Sequence, residues 1–204
     1  HWKLTGVING TYSKKILDTY SLERKAIVKS VTETAIKQGN IVGTQNRYIA
    51  LVRDFILNCA RHFPVLLNFF QFYHPWPIEE GLIDKTLFKN KANGIVIPQP
   101  DINIKIEDKA FDQYIGYKFA LLVFNQDQEV FDEIKSLDSV KIFNENIYLL
   151  NSDHPFNADM SFVEWQKKHN ISAVIIRPDR HVYGCCDNHT IIQKIDKLSI
   201  ELHN

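Results

Sequence analysis

Apolar residues in the first third of the chain recur at helical spacing, whereas in the second half they gather into short unbroken runs. Ile16, Tyr20, Ile27, Val31 and Ala35 stand four or seven residues apart, the stripe of one helix face. Ser13 offers an oxygen to the free N–H groups of a first turn, and Glu33 precedes Lys37 in the favourable order. Gly39-Asn40 supplies the left-handed stop that a helix C-terminus prefers. A second helix is expected from Gln45 to Cys59, with Tyr48, Leu51, Val52, Phe55 and Ile56 on its buried face. A third, short and very apolar, follows the break at His62-Phe63-Pro64 and carries Leu66, Leu67, Phe69, Phe70 and Phe72. Two prolines in His74-Pro75-Trp76-Pro77 forbid its continuation. Ile78 to Asn93 reads as an irregular connection, so the chain divides into a helical segment, 1–92, and a second domain, 93–204.

The period then changes. Phe119 to Phe124 is continuously apolar, the mark of a strand covered on both faces. Glu129–Leu137 reads as a short amphipathic helix, Val140–Phe143 and Ile147–Leu150 as strands, and Phe162–Lys168 as a helix. Ala173–Ile176 is a second buried strand. Arg177-Pro178-Asp179-Arg180 places proline where a tight turn wants it, and His181 to Tyr183 returns as the hairpin partner. Ile191, Ile195, Leu198 and Leu202 form the stripe of a last helix. The predicted class is α/β, and the order β-α-β-α-β-β-α is that of thioredoxin. A thioredoxin-like enzyme needs C-x-x-C where the first strand meets its helix. Asn125-Gln126-Asp127-Gln128 stands there, so the domain is expected to be degenerate, without disulfide chemistry.

Charge changes this picture little. Lys+Arg and Asp+Glu both total 24, which gives no electrostatic reason to expect nucleic acid or an anionic membrane as partner. The apolar runs fall far short of a bilayer span, and no signal peptide opens the chain. Three cysteines, two adjacent, make no disulfide framework, and a cytoplasmic home is expected. His1-Trp2-Lys3-Leu4 enters helix-compatible sequence without a cap, as a piece of a longer polypeptide would.

Candidate chemistry is sparse. His181, Cys185, Cys186 and His189 lie within nine residues, but alternation along a strand sends Cys186 away from His181 and Cys185, which argues against a zinc site. Arg177, Asp179, Arg180 and His181 cluster on a turn and are expected to be a solvated pair worth little. The aromatic run Phe69 to Trp76 is read as structural, and Cys59 as a core thiol. No catalytic, cofactor-binding or metal-ligating residue is assigned.

Five stretches carry a family likeness. Trp2-Lys3-Leu4 with Val7-Ile8-Asn9-Gly10 looks like "NLxWKLxxVLxG". Leu17-Asp18-Thr19-Tyr20 with Glu23-Arg24 matches "LLDTYxxER", the most specific of them. Gly94 to Pro100 resembles a "G…PQP" entry, Gly116 to Val123 a "GxxFALL" strand, and Arg177 to Val182 an "RPDGHV" hairpin. In this order the chain resembles the C-terminal part of the class A flavoprotein aromatic hydroxylases, in the 3-(3-hydroxyphenyl)propionate hydroxylase and polyketide hydroxylase branch of the p-hydroxybenzoate hydroxylase superfamily. It departs at Arg180, where the family usually has Gly, so any positive φ there carries strain. Gly184 and Cys185 replace a common aromatic and Arg.

The resemblance implies a parent monooxygenase that uses FAD and NAD(P)H on a phenolic or related aromatic substrate. It implies a non-catalytic role for this piece: packing for the flavin domain, and possible homodimerisation. The glycine-rich nucleotide loop and the "GDAAH" flavin loop of the family are not in this sequence, so no FAD site is expected in it. Two rivals remain open: a stand-alone thioredoxin-like interaction module without redox activity, and a small metal- or thiol-dependent protein built on His181, Cys185 and Cys186.

Overall fold

A computed structural model describes residues 1–62, 76–85, 90–126, 128–187 and 190–203. The third apolar helix predicted from Leu66 to Phe72, and most of the aromatic run ending at Trp76, lie outside these residues, as does His189. Two compact units form: residues 1–23 together with 77–204, and residues 24–76.

The larger unit opens with helix α1 (Trp2–Ile8) and a 3₁₀ turn over Lys14–Leu17, whose N-cap Ser13 accepts from the Lys15 N–H. Helix α2 (Asp18–Val42) starts at its end and carries the chain into the smaller unit. The rest of the larger unit is helix α4 (Phe111–Ile115), strand β1 (Ala120–Phe124), helix α5 (Gln128–Ser136), strand β2 (Ile147–Leu150), helix α6 (Met160–Lys168), strands β3 (Ala173–Ile176) and β4 (Val182–Cys186), and helix α7 (Ile191–His203). The four strands form one mixed sheet in the order β2-β1-β3-β4. β1 is parallel to β2, with Leu121 opposite Ile147, and antiparallel to β3, with Leu121 opposite Ile175. The β3–β4 hairpin slips register between Ile175 and Ile176, a bulge beside the turn.

Both faces of this sheet are covered, as the unbroken apolar strands require. Phe119, Leu121, Val123, Ile175, Tyr183 and Cys186 face a core closed by Ile195, Leu198 and Leu202 of α7. Ala120, Leu122, Phe124, Val174 and Cys185 face a second core with Phe156, Phe162 and Trp165. The connection at 77–85 and 90–94 has no helix or strand, yet Ile78, Leu82, Ile83, Ala92 and Asn93 are buried. Gly94 explains part of this closeness. It has φ +83°, and a Cβ there would lie 1.9 Å from the Ile78 carbonyl oxygen. Its N–H donates to the Val182 carbonyl at 2.8 Å, and its own carbonyl accepts from the Ile78 N–H.

Three expectations need correction. Val140–Phe143 is no strand but the end of a 3₁₀ turn, Asp138–Phe143. Val140 and Phe143 are three apart, which at three residues per turn buries both on one side, and Asn144 and Glu145 then adopt positive φ. Helix α2 does not stop at Gly39-Asn40: it continues to Val42, with the Gly43 N–H donating to the Gly39 carbonyl.

The third correction concerns the smaller unit. Helix α3 (Arg47–His62) forms as predicted, and Asn46 Oδ1 caps it by accepting from the Tyr48 N–H at 2.9 Å. Its apolar face, however, is not buried: Tyr48 is 79% exposed, Phe55 70%, Leu51 60%, Val52 59% and Ile56 45%. Among the described residues, no helix is long and apolar enough to cross a membrane.

Candidate functional site

Three of the five stretches that carry the family likeness meet at one buried ionic cluster. α1 supplies Trp2 and Lys3, the first turns of α2 supply Thr19 and Glu23, and the residues just after β3 supply Arg177 and Asp179. Arg177 Nη1 and Nη2 donate to Glu23 Oε1 and Oε2, both at 2.9 Å, in a two-pronged pair that matches a planar guanidinium to a carboxylate. Nη1 also donates to the Leu82 carbonyl at 2.9 Å. Nε and Nη2 donate to Asp179 at 3.1 and 2.7 Å. Lys3 Nζ lies 2.7 Å from Glu23 Oε2 and donates to Thr19 Oγ1 at 2.6 Å. The Leu82 N–H donates to Glu23 Oε1 at 2.9 Å, and the Trp2 indole N–H to Asp179 Oδ2 at 3.2 Å. The Trp2 ring lies 5.4 Å from the Arg177 guanidinium, in cation–π range.

This overturns the expectation of a solvated turn pair, because Arg177 is fully buried. Its burial is offset by two carboxylates and a carbonyl, as an interior charge requires. Burial pushes the Glu23 carboxyl up, but the hydrogen bonds and charge of Arg177 and the contact with Lys3 outweigh it and hold the carboxyl below its ordinary value. Asp179 is likewise pushed up by burial and pulled well below the usual carboxylate range by His181 and Arg177. His181 Nδ1 lies 3.4 Å from Asp179 Oδ1, within ion-pair reach but outside hydrogen-bond geometry. Burial lowers Lys3 despite its carboxylate partner. Carboxylates this well satisfied and this acidic make poor general bases. The cluster binds three distant stretches of sequence together.

Beside it, the turn takes a conformation that favours glycine. Arg180 has φ +68°, the left-handed region that disfavours a side chain. Its Nε donates to Asp112 Oδ1 at 2.5 Å and its Nη2 to the Asp112 carbonyl at 2.8 Å, tying the turn to α4.

The cysteine cluster does not converge. Cys185 and Cys186 are buried in the two different cores, and among the described residues no three His, Cys, Asp or Glu side chains gather as a metal site would need. Burial pushes both thiols up, Cys186 to about 12, far from a reactive thiolate. His181 sits at the turn with Asp179, and Cys59 is partly exposed instead of in a core.

A second buried ionic group was not anticipated. Asp84, fully buried, pairs with Lys194 at 2.8 Å and Lys197 at 3.0 Å, and Lys194 Nζ donates to the Cys185 carbonyl at 2.6 Å. Lys194 lies three residues after Ile191 and four before Leu198, on the buried side of α7. A lysine in an apolar stripe signals a buried acid, although its position in sequence does not say which. Lys194 and Lys197 edge an open cavity of about 740 Å³ that also reaches Lys85, Asn90 and His169.

A flavin does not fit this chain's own residues. A nucleotide pyrophosphate needs glycines where a strand turns into a helix, yet no two of the eight glycines stand two apart. The turn leaving β1 begins Asn125-Gln126, with Asn125 already at φ +48°.

Comparison with known proteins agrees with this geometry. The chain is 24% identical to a 3-(3-hydroxy-phenyl)propionate/3-hydroxycinnamic acid hydroxylase of a Mycobacterium species over 98% of its length and 38% of the relative's. A Burkholderia cenocepacia protein with the same name is 26% identical over 91% of this chain and 38% of its own length. The chain therefore spans under two-fifths of the curated relatives it matches. In fold it is similar to the anhydrotetracycline hydroxylase OxyS of Streptomyces rimosus (TM-score 0.63, 19% identity, 98% of this chain and 38% of that one). It is also similar to the flavin-dependent monooxygenase PieE, solved with FAD and substrate (TM-score 0.56, 15% identity, 98% and 42%). The model of the HcaD C-terminal domain family matches residues 94–201, more than half of the chain and nearly all of its sheet-bearing part, and the chain belongs to that family.

Proposed function

We propose that this chain is the C-terminal, non-catalytic part of an FAD- and NAD(P)H-dependent monooxygenase that hydroxylates a phenolic or related aromatic substrate. Its role there is to pack against the flavin-binding part of the same polypeptide, with a homodimer contact as a second role. One observation carries this reading. The stretch resembling the family's exit from its flavin region, Trp2-Lys3, is bonded through Glu23 to Arg177 in the matched C-terminal domain. A chain that spends a buried charge cluster on joining these two stretches is built to hold them as one body.

The division at residues 92 and 93, a thioredoxin-like descent for the second part, and a cytoplasmic home belong to the same proposal. The sheet order β2-β1-β3-β4, with β3 and β4 antiparallel, supports the thioredoxin-like reading. Extending the reading frame upstream of His1 tests the whole. The expected result is a G-x-G-x-x-G strand–turn–helix and a GD-x-x-H loop; an in-frame stop immediately before His1 sinks it. The alternative, a stand-alone interaction module, draws on the exposed face of α3 and predicts a colourless protein with no flavin-binding sequence upstream.

A further inference from the structure

We infer that the apolar face of α3, with the groove it makes against the end of α2, is the surface on which the flavin-binding part of the same polypeptide docks. This rests on the functional reading above and adds to it a place. Tyr48, Leu51, Val52 and Phe55 form one helical stripe, and every one of them is more than half exposed. Ile49, Ile56 and Leu57 widen it, each at least 43% exposed. An apolar surface of this density on one helix exceeds what a soluble protein leaves to water without a use.

The groove beside it, about 380 Å³, is lined by Ile41, Ile49, Val52, Ile56 and Leu57. Arg53, which also lines it, ties its two helices together: Arg53 Nη1 donates to the Val42 carbonyl at 2.8 Å and the Ile41 carbonyl at 3.3 Å, closing the C-terminal end of α2. Among the described residues, Asn40 and Thr44 complete the lining, in which Arg53 is the single charged side chain, a composition closer to permanent interfaces than to transient ones. The curated relatives supply a permanent occupant, because each carries a further three-fifths of its length outside the region this chain matches.

The test uses the complete polypeptide, flavin-loaded, with a photo-cross-linking phenylalanine analogue placed at Leu51 or Phe55, and at exposed Tyr117 as control. The expected product keeps the mass of one chain and joins α3 to a peptide of the flavin-binding part. A product of doubled mass, joining α3 to a second copy, overturns the inference, and so does labelling no greater than at Tyr117. Phe55→Asp gives a second arm. In the 204-residue chain it leaves the unfolding midpoint unchanged, because the ring is already in water. In the complete polypeptide it lowers the midpoint of flavin release by about 5 °C; equal midpoints in both overturn the inference. A complete polypeptide that holds no flavin would instead sink the functional reading.

Discussion

Helices α3 and α7 carry nearly the same pattern and meet opposite fates. Ile191, Ile195, Leu198 and Leu202 of α7 repeat at helical spacing and none is more than 2% exposed. Tyr48, Leu51, Val52 and Phe55 of α3 repeat in the same way and stand in water. Periodicity reports which face of a helix avoids water; it does not report what covers that face. α7 has a sheet to lie on, and its buried Lys194 has Asp84 waiting for it. α3 belongs to a unit with no sheet among its described residues, and its cover is proposed to lie elsewhere in a longer polypeptide.

The largest test of this contrast is at the charge cluster of the larger unit. Arg177→Ala leaves Glu23 buried with only Lys3 and the Leu82 N–H, and is expected to cost about 3–5 kcal/mol in urea unfolding. Pairing it with Glu23→Gln should recover part of that loss, because the stranded charge is then gone. Additive costs would show that the two side chains do not act as a unit.

Next in size is a paired truncation across the two helices. Leu198→Ala opens a cavity in a closed core and is expected to cost about 2–5 kcal/mol. Leu51→Ala in the same chain should change stability by no more than about 0.5 kcal/mol. Equal costs would mean that α3 is covered within this chain and that the contrast is false.

Acid should sharpen the contrast further. Glu23 and Asp179 have carboxyls held below their ordinary values. The stability they contribute is therefore complete above their unfolded values near pH 4, and it is lost as pH falls through the folded ones. Stability of the larger unit should decline on acidification below about pH 4.5, and Glu23→Gln should flatten that decline. An unchanged slope in the variant would remove Glu23 from the account.

These tests fall where sequence reasoning was strong and where it stopped. The strands β1 and β3, helices α5, α6 and α7 and the turn at Arg177 were legible because local apolar runs and turn chemistry are fixed within a few residues. Val140–Phe143 was misread because an apolar pair three apart fits a strand edge and a 3₁₀ turn equally well. Glu23, Lys3 and Arg177 were all visible in family-like stretches, yet their contact was not, since 154 positions separate Glu23 from Arg177. Asp84 lay in a segment without period, where burial leaves no mark on the pattern.

The smallest effect concerns the left-handed position of the turn after β3. Arg180 holds φ +68°, a conformation that costs a side-chain residue about 1 kcal/mol more than glycine. Its guanidinium answers with contacts to Asp112. Arg180→Ala and Arg180→Gly both remove those contacts and differ only in the backbone. The glycine variant should therefore be the more stable of the two by about 1 kcal/mol in urea unfolding. If the two variants unfold together, the turn has relaxed out of the left-handed region and Arg180 was never strained. If glycine exceeds the parent as well, the ion pair with half-exposed Asp112 contributes less than the strain it accompanies, as exposed pairs commonly do.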